Sequence, residues 1–319
     1  MVVYRMKVVV FGDLNVDLLL RVDFIPTADI AVSAKELRIR HGGVGGNIAV
    51  ALSRLGLKVR LLGAVGADIF GNQVVDELKN EGVDIAFIKH INVPTGIMVI
   101  FVVPSGARSI IGFRGANAKV NLSDHEISKA LEGFNHIHLS GYMSLNDDGG
   151  QLLLNLARKA KARGLSVSID LEGIATQKKS LVKEFRGLVD YVMLNKDEIT
   201  YLSGTNDLND SINYLDELLK PKAIFLKLGP KGSIVSFKGE RQHINAFKIK
   251  AIDSTGAGDA FNAGVIYAIL KGLDYVSAAL VGNAMGAYAC LGHGARYLPK
   301  SLNDLIKHFP EVRKVLKDV

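Results

Sequence analysis

Short β-rich runs alternate with stretches of helical periodicity along most of this chain. That alternation favours one architecture: a mostly parallel sheet with helices on both faces. Parallel neighbours cannot be joined by tight turns, so each needs a crossover, and a helix supplies it. The strand candidates are Lys7–Phe11, Val59–Val65, His136–Ser140, Ser166–Asp170, Tyr191–Leu194, Ala223–Leu228 and Ser233–Phe237. Helix candidates lie between them at Gly46–Leu55, Gly71–Asn80, Ser123–Leu131, Gly150–Ala162, Lys196–Leu202 and Ser211–Leu219. Ser123-Asp-His-Glu126 fits a capping box at one of these starts. With 319 residues, 48% of them hydrophobic and 22% charged, the chain can bury a substantial core.

Two stretches break the alternation, at about 18–40 and 92–115, and both read as strands without crossover helices. They suggest a discontinuous accessory sheet within one domain spanning 1–319. Thr95–Val103 is nearly all apolar, so both faces of a strand there need cover. One face is available to lie over a site and the other to meet a partner subunit; the pattern reads equally as a plain core strand.

Charge and cysteine content narrow the function classes. The net charge is +7 and the pI about 9.3, but Lys and Arg are scattered with no run of five like charges. Anionic small substrates suit that balance at least as well as nucleic acid, and no nucleic-acid partner is expected. Cys290 is the only cysteine, which rules out an intramolecular disulfide and points to a reducing, cytoplasmic setting. Met1–Val10 is too short for a secretory core and reads as the first strand, and no apolar run approaches a membrane span. The eight histidines show no metal spacing; His136 and His138 alternate on a strand and are expected to face different environments. No Gly-x-Ser-x-Gly elbow or Walker A loop is present.

The segment 252–264, Ile-Asp-Ser-Thr-Gly-Ala-Gly-Asp-Ala-Phe-Asn-Ala-Gly, combines an anion cradle with a base. Gly256, Ala257 and Gly258 are small enough for phosphate to approach the backbone, and the apolar run from Ala260 reads as the helix they open. Asp259 in its first turn is placed to take a proton from a substrate hydroxyl. By itself the same pattern is also an Asp-capped helix after a glycine turn.

Asp-Ser-Thr-Gly-Ala-Gly-Asp-Ala-Phe closely resembles the C-terminal signature of the ribokinase-like, or PfkB, family of sugar and nucleoside kinases, differing from its commonest form mainly at Ser254. Other segments resemble family elements in order. Gly12-Asp13-Leu-Asn-Val-Asp17 is similar to the N-terminal motif, with Asp17 as a holder of substrate hydroxyls. His41-Gly42-Gly43-Val-Gly-Gly-Asn47 is similar to the Gly-Gly-x-x-x-Asn element. A dinucleotide loop competes there, but its glycine spacing is absent and no strand is expected to lead in. Gly63–Gly71 resembles a family strand-to-helix joint, with Asp68 either capping that helix or touching substrate. Gly115-Ala116-Asn117 matches a tripeptide that follows the lid strands, and Arg114 before it reads either as a substrate contact or as an exposed lid arginine.

On the nucleotide side, Asn195-Lys-Asp-Glu198 resembles the Asn-x-x-Glu motif, which implies Mg²⁺ held at Asn195 and Glu198, partly through water. Lys227-Leu-Gly229-Pro-Lys-Gly232 resembles the nucleotide turn, with Lys where Thr is usual. Asn283 and Gly292-His-Gly294-Ala295 fall in the region that walls the adenine pocket. Asp253 and Thr255 match positions that hold a monovalent cation such as K⁺ in some ribokinases, although Leu298 stands where a serine is expected.

The resemblance covers Gly12 to about Gly294 and implies a three-layer α/β kinase fold with a small β lid. It further implies ATP as donor, a sugar acceptor of the ribose, fructose or 2-keto-3-deoxygluconate type, and a homodimer formed through the lid. A nucleoside acceptor and a catalytically silent sugar- or nucleotide-binding regulator are the alternatives.

Overall fold

The computed structural model describes residues 6–316; residues 1–5 of the opening run, and 317–319, lie outside the described residues. Among the described residues thirteen strands form two sheets. They are β1 (Lys7–Phe11), β2 (Asn15–Arg21), β3 (Glu36–Gly42), β4 (Lys58–Gly66), β5 (Asp84–Ile91), β6 (Gly96–Val102), β7 (Arg108–Phe113), β8 (His136–Ser140), β9 (Ser166–Asp170), β10 (Tyr191–Asn195), β11 (Ala223–Lys227), β12 (Ser233–Phe237) and β13 (Glu240–Ile244).

The large sheet runs β13-β12-β11-β10-β9-β8-β1-β4-β5. Its pairs are parallel from β11 across to β5, and only the β12 and β13 edge is antiparallel. All seven strand candidates of the large sheet lie where the patterning places them. β5 and β13 were not among them, because both are edge strands whose exposed positions break up the apolar run.

Each face of the large sheet carries its own core. One gathers Val8, Val10, Leu61 and Phe225 under the helices Val44–Arg54, Ala257–Leu270 and Tyr275–Ala289. The other gathers Val9, Phe11, Ile137 and Leu226 under Asp124–Leu131, Gln151–Ala162 and Leu208–Leu219. This is the three-layer arrangement, and Ser123 and Glu126 form the capping box that starts one of its helices.

His136 and His138 correct an expectation. Two residues apart on β8, they share a face rather than dividing two environments, and both bond the Ser168 hydroxyl at 2.8 Å. Burial pulls both rings down to a pKa of about 3, so they are neutral core residues.

The small sheet has the order β3-β2-β6-β7 and draws on both stretches that lacked crossovers. β2 pairs antiparallel with β3 and parallel with β6, which pairs antiparallel with β7. Asn117, just past β7, ties that end of the chain segment to the start of β2: its side chain accepts from the Leu14 N–H at 2.9 Å and donates to the Asn15 carboxamide oxygen at 2.8 Å. β3 also corrects the reading of the glycine-rich turn, since a strand does lead into Gly42. That strand belongs to the small sheet and is antiparallel to its neighbour, so the turn is still not a dinucleotide βαβ unit.

Candidate active site

The parallel strands end at one edge, so residues that finish or follow them meet there: Asp13 and Asp17 after β1, Ser140 at the end of β8, Asp170 of β9, Asn195 of β10 and Lys227 of β11. The helix Ala257–Leu270 points its N-terminus at the same place. Gly256 caps that helix at φ 76°, and a Cβ there would stand 2.5 Å from the Ala295 carbonyl oxygen, so only glycine brings the two segments this close. The Ala257 N–H donates to the Ser254 carbonyl at 3.2 Å, whereas the N–H groups of Gly256, Gly258 and Asp259 have no partner among the described residues. The N–H groups left free at this helix start are therefore those of Gly256, Gly258 and Asp259, while that of Ala257 is taken.

Asp259 accepts a hydrogen bond from Asn47 Nδ2 at 2.8 Å, across 212 residues of sequence. Burial lifts its pKa to about 6, against the pull of Asn47 and of the Lys227 ammonium. Asn47 is held in turn by Arg296, whose Nε donates to Asn47 Oδ1 at 3.1 Å. A guanidinium has only donors, so it fixes the amide with its oxygen toward Arg296 and its NH₂ toward the carboxylate. Arg296 is 8% exposed, and its other donors reach Glu77 at 2.6 Å and the Gly42 carbonyl at 3.2 Å. Glu77 also bonds His41. Asp17 lies beside this network; burial raises its pKa to about 6 although Arg296 and His41 pull it down. Gly42 has no room for a side chain, because a Cβ would meet Asp17 Oδ2 at 2.5 Å, and Gly43 follows at the start of the helix that carries Asn47.

On the opposite side Lys227 is buried and bonds Asp170, with Asn262 Oδ1 at 3.5 Å. Asn262 also donates to Asp170 at 2.5 Å. Burial opposes the ammonium, but Asp170, Glu198 and Glu172 outweigh it and raise its pKa. Lys227 Nζ lies 3.7 Å from where a Cβ on Gly258 would sit, directly under the cradle. Glu172 has φ 31° and accepts from the Ser140 hydroxyl at 2.8 Å; burial and the neighbouring Asp170 and Asp259 raise its pKa well above the ordinary range. Asn195 and Glu198 form a reciprocal capping box at the start of Lys196–Ser203. Burial and Asp170 raise the Glu198 pKa to about 7. These hard oxygens fit Mg²⁺: a divalent cation relieves the crowding of Asp170 and Glu198, and Asp170 Oδ1 is buried without a partner.

Several sequence candidates take structural positions. Arg114 makes a two-pronged pair with Asp13 at 3.1 and 3.2 Å and reaches Asn146 at 2.8 Å, so it is not an exposed lid arginine. Asp68 caps the helix Ile69–Asn80 and also accepts from Thr95. Gly229 and Gly232 shape the turn between β11 and β12, and Asn283 holds the Ile244 and Asn245 carbonyls. Gly294 donates to Asp253 at 3.0 Å. Where a monovalent cation was expected, Asp253 accepts from Thr255, Gly294 and Arg108, and Leu298 is a buried apolar side chain.

Reasoning from sequence missed Arg296, Asp170, Glu172 and Asn262. Asp170 was within reach, since it ends a predicted strand at the ligand edge. Arg296 had no local signal.

Comparison with known proteins agrees with the fold. Residues 5–301 match the pfkB family carbohydrate kinase. The chain is 28% identical to ribokinase of Haemophilus influenzae over 307 residues, covering 92% of this chain and 94% of the relative. It is 29% identical to an ATP-dependent ribose-1-phosphate kinase of Halopiger xanaduensis over 294 residues, covering 92% and 95%. Its fold superposes on ribokinase of Thermotoga maritima with a TM-score of 0.82 at 26% identity, covering 96% of this chain and 99% of that one.

Proposed function

Because the chain belongs to the pfkB family of carbohydrate kinases, and is thus a phosphotransferase acting on a sugar hydroxyl, we propose that it moves the γ-phosphoryl group of ATP to the hydroxymethyl group of a small sugar. The observation that carries this reading is the meeting of Asp259, Asn47 and a row of N–H groups without protein partners at one helix start.

Asp17 and Asn47 orient the acceptor, and Asp259 accepts its hydroxyl proton as the oxygen attacks phosphorus. A carboxylate with a pKa near 6 is ionised at neutral pH yet basic enough to hold a proton briefly. The N–H groups of Gly256 and Gly258, with Lys227 beneath them, offset the charge that develops on the transferring group. Asn195 and Glu198, with Asp170 nearby, are the residues that would hold Mg²⁺, whose bound form shields the phosphate oxygens. Gly229, Gly232, Asn283 and Gly294 border the nucleotide side.

The small sheet acts as a lid that excludes water from the acceptor. Its other face carries Leu37, Ile39, Ile111 and Phe113, each about half exposed or more, which supports a homodimer formed through the lid.

The test is a phosphorylation screen of ribose, fructose, 2-keto-3-deoxygluconate, inositol and nucleosides with ATP and ADP. Transfer to a sugar from ATP is the expected result. Nucleotide binding without transfer to any acceptor would point to a silent regulator instead, and a preference for nucleosides would reassign the acceptor.

A further inference from the structure

Resting on the assignment of Asp17, Asn47 and Asp259 as the acceptor side of a kinase site, we propose that the acceptor is a sugar monophosphate. Its free hydroxymethyl group faces Asp259 and its phosphate lies against arginines of the small sheet.

Strand alternation puts Asp17, Leu19 and Arg21 of β2 on one face of that sheet. Their cross-strand partners on β3 are Arg40, Arg38 and Glu36, and on β6 they are Met98, Ile100 and Val102, with Arg108 of β7 opposite Val102. This face looks onto a cavity of 430 Å³ closed on its far side by Ala251–Thr255. Asp17 lines it together with Arg21, Arg38, Arg40 and Arg108, over a floor that includes Leu19 and Ile100.

The arginines are unequally neutralised. Arg108 is held by Asp253 and Thr255, and Arg21 and Arg38 share Glu36. Arg40, paired in register with Asp17, has no hydrogen bond or carboxylate partner among the described residues. Guanidinium groups crowded on one wall repel one another, which a site for a neutral ring gains nothing from. A phosphate dianion removes that repulsion and matches the forked donors of arginine.

The dimensions agree. Arg38 lies two residues along β3 from Arg40, roughly 7 Å at strand rise. Arginines at that spacing can share one phosphate, and the apolar floor of Leu19 and Ile100 suits the sugar ring beside it. A lone carboxylate has one charge and two oxygens for several guanidiniums, so the dianion is the better match. In the reaction the hydroxymethyl oxygen bonds to Pγ, the bridging bond between Pγ and the β-phosphate oxygen breaks toward ADP, and the proton goes to Asp259. The product is a sugar bisphosphate.

The test measures kcat/KM of the full chain with ATP and Mg²⁺ for ribose 1-phosphate and fructose 6-phosphate. Ribose, fructose and 2-keto-3-deoxygluconate are run alongside. At least one monophosphate should exceed its neutral parent by about 100-fold or more. Arg40→Gln and Arg38→Gln should each cut that ratio by about 10- to 100-fold, the range of one charge-assisted hydrogen bond. Neither side chain is buried, and unchanged melting curves would show that the variants fold. Equal or better use of neutral sugars overturns the proposal and leaves the kinase assignment intact. Preference for 2-keto-3-deoxygluconate overturns it in favour of a carboxylate. If ATP binds but no acceptor is phosphorylated, the kinase assignment fails and this inference fails with it.

Discussion

Burial lifts the pKa of Asp259 to about 6, while the hydrogen bond from Asn47 and the Lys227 ammonium pull it down. The hydrogen bond from Asn47 lowers the pKa, so Asn47→Ala should move the acid limb of the kcat/KM pH profile upward from about 6. A limb that stays in place would mean another group governs it. Stability carries the same signature. The folded pKa lies above the ordinary 3.8, so ionising Asp259 takes stability away as pH rises from about 4 to about 6, and the loss persists above that window. Asp259→Asn removes the penalty and should raise the Tm by about 2–4 °C at pH 8, with the gain vanishing toward pH 4. A calorimetric scan at both pH values checks it. Asn47 and Asp259 were visible in the sequence because each sits in a short motif. Arg296 was not, because its role exists only when residues far apart in sequence converge on one amide.

At the scale of elements, β1 and the helix Val44–Arg54 approach through glycine on both sides. A Cβ on Gly45 would stand 2.6 Å from the Gly12 backbone, and one on Gly12 would stand 2.6 Å from Gly45 Cα. Gly45→Ala should therefore push the helix that carries Asn47 away from Asp259. We expect a destabilisation of about 1–3 kcal/mol, as for overpacking, with at least tenfold lower kcat. Denaturant melts and steady-state rates read the two effects separately. The buried elements were legible because a strand covered on both faces leaves an uninterrupted apolar run. The edge strands β5 and β13 were not, since solvent on one side permits residues such as Lys89, Glu240 and Arg241. The strands of the small sheet were readable as strands, but which of their faces meets the cavity follows only from the register.

Over the whole molecule, the two sheets are joined covalently at short connections and across the cavity by Arg108, which reaches Asp253, Ser254 and Thr255 just before the cradle. That contact ties the position of the small sheet to the segment that receives phosphate. Arg108→Ala should loosen closure and raise the share of ATP lost to water, measured as ADP formed in excess of phosphorylated acceptor. Equal amounts of the two products would show that closure does not depend on it. The central claim is phosphoryl transfer with Asp259 as the base. Its most direct test is the single-turnover rate of transfer from labelled ATP to acceptor in wild type and Asp259→Asn, with ATP affinity measured alongside. The predicted result is a rate lower by about 10²- to 10⁴-fold at little-changed ATP affinity; a rate near wild type would contradict it.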